Sequence, residues 1–281
     1  GITTAPTEEA LIKDIQIGLD AGFNGARMHQ KVFEPRYIYH ADKMGYMVWG
    51  EYGSWSIDIS DLEAAAIFLP EWLESVRRDY NHPSLITWCP FNETWDTTHH
   101  FPEKQGKEQN NDVVRIVYEQ TKLLDPTRPC VDTSGFHHVK TDIFDLHDYE
   151  QNHEIFKARY DRATAEGILE NKYSDRQTWR GEPLHVSEFG GIGYRMEHNG
   201  YATKRRTPWC HRNVWSPEEF YESYRLWVEP LQDNPSIIGY CYTQLTDVEQ
   251  EQNGLYTYDR RPKFPPEVIH PIFSRKAAIE D

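Results

Sequence analysis

The chain has 281 residues, a formal charge of −15, 38% hydrophobic and 14% aromatic residues. That is length enough for one large core, and a single α/β barrel of about 250 residues lies within range. The acidic balance repels a phosphate backbone and no basic run interrupts it, which excludes nucleic acid as an expected partner. No apolar stretch approaches the ~18 residues of a membrane helix, so no membrane contact is expected either.

Taken in chain order, residues 7–21 place Leu11, Ile15 and Leu19 at helical spacing, with Thr7 as N-cap and Gly22 as a stop. Strand-like runs follow at 23–28, 46–51, 85–91, 129–133, 143–147, 184–189 and 237–243. Helical segments lie between them near 35–44, 61–80, 108–124, 153–166 and 216–231, the last opened by a capping box, Ser216-Pro217-Glu218-Glu219. Strand and helix alternate almost throughout, which predicts parallel pairing with helices outside. The connection 190–215 is long and rich in Arg, His and Trp, in keeping with a functional loop. No internal boundary is visible, so residues 1–281 read as one domain. Seven strands preceded by a helix predict a (β/α)8 TIM barrel whose first strand precedes Gly1; an open, doubly wound sheet is the competing architecture.

The strand ends favour the barrel. They carry Arg27 with His29, Glu51, Asn92 with Glu93, Asp132, His147, Glu188, and Tyr242 with Gln244. In a closed barrel such ends converge on one mouth, where barrel active sites lie. Glu93 and Glu188 fall on the fourth and seventh strands once a preceding strand is counted, and paired carboxylates suit glycoside hydrolysis, one protonating the leaving oxygen and the other attacking the sugar carbon. Asn92 is placed to hold a sugar hydroxyl, and Arg27 to keep Glu188 ionised.

Each residue has a plainer reading. A strand-end Glu is commonly a salt-bridge partner, Glu51 reads as a structural bridge to Arg27, and His29 and His147 suit satisfied structural histidines as well as a site. Trp88 lies inside a strand and reads as core, whereas Trp95, just past Glu93, is a stacking candidate. Asn92-Glu93-Thr94 also matches the N-x-T glycosylation pattern. Residues 99–111 hold paired His and several acids, but their spacing fits no standard ligand set, so no metal is expected. Neither a phosphate loop nor a G-x-S-x-G elbow is present. The four cysteines show no C-x-x-C spacing, three lie within apolar strand-like runs, and they read as buried free thiols.

Two motifs together resemble glycoside hydrolase family 2: "NHPSLITWCPFNE" (81–93) is similar to its acid/base strand and "PLHVSEFGG" (183–191) to its nucleophile strand. Further similarity lies in residues 22–51, in "TKLLDPTRP" (121–129) and in "NGLYTYDRRPK" (253–263). The resemblance implies a (β/α)8 catalytic domain of a retaining β-glycosidase that needs no cofactor, acts on a glycoside or oligosaccharide, and follows β-sandwich domains in a longer chain. It implies Glu93 as general acid/base and Glu188 as nucleophile, with Arg27, Asn92 and His147 beside them. The run Arg27-Met28-His29-Gln30 departs from the family's pattern, so His29 is not equated with the family's histidine. The last-strand aromatic platform falls on Tyr242, followed by Gln244. Where glucuronide-cleaving members carry Asn-x-Lys, this chain reads Glu251-Gln252-Asn253 near Asp247 and Glu249, which favours a neutral sugar, β-galactoside first. Oligomeric state and compartment are left open.

Overall fold

The structure, a computed structural model, describes residues 5–55, 57–94, 108–171, 173–194 and 210–281. The chain divides into two compact units. One takes Gly1–Ile15, Gly25–Leu146 and Asn171–His185; the other takes Gln16–Asn24, His147–Glu170 and Val186–Asp281.

In the first unit, helix α1 (Glu8–Asp20, continuing into the second unit) starts where Thr7 Oγ1 accepts the Ala10 N–H at 3.3 Å. Strand β1 (Gly25–Arg27), helix α2 (Pro35–Met44), strand β2 (Met47–Glu51), helix α3 (Glu63–Asp79) and strand β3 (Leu85–Cys89) follow. β1, β2 and β3 form one parallel sheet in that order, Arg27 facing Trp49 and Glu51 facing Cys89 in register. The run expected as one strand over 85–91 is broken at Pro90, which has no N–H to give a ladder. Its continuation is strand β4 (Phe91–Asn92), paired in parallel with β5 (Thr133–Ser134) after helix α4 (Asn111–Leu124). The expected strand 129–133 is therefore shifted: only a bridge from Trp88 to Cys130 precedes β5. The core beneath is aromatic. Trp72 and Trp88 are almost fully buried with their rings edge-on at 5.9 Å, and their indole N–H groups donate to Thr121 and Asp125 at 2.7 and 2.8 Å.

Strand β6 (Phe144–Asp148), helix α5 (His153–Glu166) and strand β7 (Leu184–Gly190) lead through the second unit to short strands β8 (Ile192–Gly193) and β9 (Arg212–Asn213). Helix α6 (Pro217–Gln232), strand β10 (Ile237–Thr243) and helix α7 (Pro266–Phe273) complete it. The sheet order is β10-β7-β6, with β8 and β9 paired in parallel apart from it. Ser216 Oγ caps α6 through the Glu219 N–H, but the Glu219 carboxylate accepts from Trp215 N, one residue before the position a capping box requires. Buried Phe156, Phe189, Phe220, Tyr224 and Trp227 fill this unit's core.

Candidate active site

Two sets of polar side chains stand at strand ends, one in each unit. In the first unit, Glu51 ends β2 fully buried, and the Arg27 guanidinium donates to both its oxygens at 2.7 and 3.2 Å. Burial opposes the Glu51 charge, but the Arg27 charge, His29 and the Gln30 N–H together hold its pKa below the ordinary carboxylate range. Arg27 also donates to Asn92 Oδ1 and lies 3.2 Å from His29 Nδ1. The structural-bridge reading of Glu51 holds, and through Arg27 this buried pair fixes which way the Asn92 amide points.

Asn92 has no exposed surface. Its main-chain N–H donates to Ser54 Oγ at 3.3 Å and its carbonyl accepts the Trp55 indole N–H at 3.0 Å. The buried Nδ2 has no hydrogen-bond partner among the described residues. A buried donor left in this state requires an explanation, and a ligand oxygen is one. The glycosylation pattern is excluded on the same ground: Asn92 is sealed, and Thr94 Oγ1 is buried against Gln109 and Thr133.

Glu93 follows, half-buried, with φ +40 and its N–H on the Ser134 carbonyl at 3.0 Å. A left-handed conformation at a non-glycine residue is strained, and such strain gathers at functional sites. His29 is half-exposed, its Nδ1 3.3 Å from Glu51. Trp95 lies outside the described residues, as does most of 99–111. Trp55, 52% exposed and edge-on to His29 at 5.8 Å, is an aromatic in this set that the sequence reading passed over. Asp132 proves to be a structural hub: buried, it accepts from Val139 N and Lys140 N at 2.6 and 2.9 Å and lies 2.6 Å from His138 Nδ1.

In the second unit Glu188 projects from β7. Tyr149, just past the end of β6, donates its phenol proton to Glu188 Oε2 at 2.6 Å, and His147 Nδ1 stands 3.4 Å from the same oxygen. Tyr149 Oη also stands 3.1 Å from Thr243 Oγ1. Tyr149 had a readable signal: it lies two residues beyond His147, and alternate strand residues share a face. Thr243, at the end of β10, had none.

Tyr242 corrects an expectation. It is 5% exposed, its hydroxyl donates to the Asn253 carbonyl at 2.7 Å, and its ring packs on Tyr224 at 4.4 Å and Phe189 at 5.7 Å. A ring enclosed on these sides is core and offers no stacking platform. Gln244 donates to Asn253 Oδ1 at 2.7 Å and Glu251 Oε2 at 3.3 Å, so its amide is part of the turn that carries Glu251 to Asn253. Of the acidic residues nearby, Asp247 is neutralised by buried Lys263 at 2.6 Å.

The family model described as "Glycosyl hydrolases family 2, TIM barrel domain" matches residues 5–204. The chain belongs to that family. Its fold is accordingly an α/β TIM barrel, and solved structures agree. The FMN-binding β-glucuronidase from Facaelibacterium prausnitzii L2-6 matches 96% of this chain and 41% of its own at TM-score 0.72 and 21% identity. A family 2 β-galacturonidase from Eisenbergiella tayi, bound to galacturonate, matches 96% of this chain and 48% of its own at TM-score 0.70 and 18% identity. Among curated proteins, the β-galactosidase of Vibrio vulnificus (strain YJ016) is 28% identical over 145 residues, 49% of this chain. The family 2 chain described here spans 13% of that relative's length.

Proposed function

We propose that this chain carries the catalytic residues of a retaining exo-β-glycosidase, with Glu188 as nucleophile and Glu93 as general acid/base. The Glu188 carboxylate attacks the anomeric carbon while Glu93 protonates the glycosidic oxygen, which departs with the aglycone. Water, deprotonated by Glu93, then attacks the same carbon and breaks the ester to Glu188. Neither step calls for a cofactor. The observation that carries the reading is the hold on Glu188: a phenol at 2.6 Å and an imidazole at 3.4 Å on one oxygen fix the plane of the carboxylate before substrate arrives. Asn92, with a buried amide N–H aimed by Arg27, supplies the donor for a sugar hydroxyl, and His29, Trp55 and Gln244 are offered as further substrate contacts.

A neutral sugar, β-galactoside first, is the substrate we favour. The curated relatives are β-galactosidases, and Glu251 stands in the segment where a uronate carboxylate would need a cation. The acidic stretch is weaker than its composition suggests, since Asp247 is already paired with Lys263; the discrimination rests on Glu251.

The test is a panel of nitrophenyl β-galactoside, β-mannoside, β-glucoside and β-glucuronide on the full-length protein, with Glu188→Gln and Glu93→Gln beside it. Each variant is expected to lose at least about a thousandfold in kcat on the preferred glycoside, and azide to restore turnover of an activated glycoside when Glu93 is replaced by Ala. Near wild-type rates in both Gln variants would sink the mechanism. A glucuronide turned over faster than the galactoside would move the substrate to the uronates.

A further inference from the structure

The second unit fixes Tyr149 from a direction the proposed reaction does not use. The His211 imidazole lies flat on the Tyr149 ring, centroids 3.8 Å apart and planes 14° from parallel. The backbone arranges this contact. His211 N donates to the Gly191 carbonyl at 2.9 Å, and β9 runs on beside β8, Arg212 facing Ile192 and Asn213 facing Gly193. Gly191 N in turn donates to the carbonyl of Thr243, the residue whose hydroxyl meets the phenol. Gly191 has φ +60, and a Cβ there would come within 2.7 Å of His211 Cδ2 and 3.1 Å of Tyr149 Cε1. The absence of a side chain at 191 is what lets the two rings close on each other.

We propose that His211 is a positioning residue for the hydrolysis: its ring holds the Tyr149 phenol on Glu188. The inference rests on Glu188 being the nucleophile. A phenol turns easily about its Cβ–Cγ bond and swings about Cα–Cβ. Its hydroxyl is secured at one end by Glu188 and Thr243, and the face contact with His211 restricts the rest of the ring. Glu188 passes from carboxylate to ester and back during the proposed cycle, so the strength of the phenol's hydrogen bond must change with it while its direction stays the same. A misdirected donor raises the barrier without weakening the binding of the sugar, because the phenol addresses the nucleophile.

The experiment uses full-length protein, nitrophenyl β-galactoside, and the variants His211→Ala, His211→Phe, Tyr149→Phe and Tyr149→Phe/His211→Ala, each checked for an unchanged melting transition at the assay temperature. His211→Ala is expected to lower kcat about tenfold with KM within about twofold. His211→Phe, which keeps a flat ring, should return to within about twofold of wild type. In the Tyr149→Phe background, removing His211 should cost less than about twofold, since the hydroxyl it positions is gone. Equal loss in the Ala and Phe variants, a tenfold loss that persists without the phenol, or no loss at all would overturn the proposal. If Tyr149→Phe falls below detection, the comparison of Phe with Ala at position 211 decides alone. Glu188→Gln separates the two levels: turnover in that variant defeats the nucleophile assignment, whereas a dead Glu188→Gln with uncoupled His211 defeats only the role given to His211.

Discussion

Among single residues, Glu51 does most without touching the proposed chemistry. Its buried carboxylate holds Arg27, whose side chain is 4% exposed, and Arg27 aims Asn92. Glu51→Gln keeps the shape and removes the charge, leaving a buried guanidinium without its counter-ion. The expected cost is about 3 kcal/mol in urea unfolding, with a fall in kcat as Asn92 loses its fixed orientation. A change under about 0.5 kcal/mol, the range of ordinary surface substitutions, would contradict this. Glu51, Arg27, Asn92, Glu93, His147 and Glu188 were all legible in the sequence because each is a polar group ending an apolar run, an exception to strand burial that periodicity exposes. Trp55, Thr243 and His211 were not, and Tyr149 showed only in its spacing from His147. Aromatic and hydroxyl residues are ordinary strand and loop occupants, and what singles these out is a partner distant in sequence. Tyr242 misled for the converse reason: an aromatic at a strand end suits a platform and a core equally, and only its burial against Tyr224 and Phe189 distinguishes them.

The elements themselves followed their patterns closely where the signal was local. α2 and α5 match the expected spans, and Gly22 ends α1 as its position predicts, with φ +94. Helix α7 escaped because Pro265, Pro266 and Pro271 argue against a helix; yet Pro266 falls at its first position, where proline is compatible. The same helix gives Gly22 a second duty. A Cβ at Gly22 would lie 2.6 Å from the His270 carbonyl oxygen and 3.2 Å from Ser274 N, both main-chain atoms with little room to yield. Gly22→Ala therefore meets backbone strain and a steric conflict together, and should destabilise by about 1–3 kcal/mol, read as a lowered thermal midpoint. A neutral or stabilising effect would mean that the end of α1 and helix α7 do not approach as described. Strands β8 and β9, two residues each, are below what alternation detects, and with them His211 was hidden.

At the scale of the whole molecule, the two units are built from interleaved stretches, which is why no linker or compositional break marked them in a chain read as one domain. Strand and helix alternation carried the fold class because parallel strands need crossovers, and nothing comparable in sequence reports the charge balance of the interior. Two histidine side chains set that balance in opposite senses. His138 loses hydration, but Asp132 at 2.6 Å and Asp145 at 3.1 Å outweigh that loss and raise it to about 10. His185 packs against Trp49 at 4.7 Å, its buried Nδ1 lacks a hydrogen-bond partner among the described residues, and loss of hydration drives it down to about 4. Both titrate near 6.5 when unfolded. The His138 contribution is thus complete below pH 6.5 and is lost as pH rises toward about 10, where the folded state gives up its proton. His185 acts the other way: between pH 6.5 and about 4 the unfolded chain takes up a proton that the folded chain refuses, so stability falls as acid is added. Together they favour a maximum near neutrality. Thermal midpoints measured from pH 4 to 10 should show a flatter alkaline limb in His138→Gln and a flatter acid limb in His185→Phe, whatever uniform loss each substitution brings. An alkaline limb in His138→Gln as steep as in wild type would show that the charge between Asp132 and Asp145 does not stabilise the fold, and the pairing inferred from their distances would have to be given up.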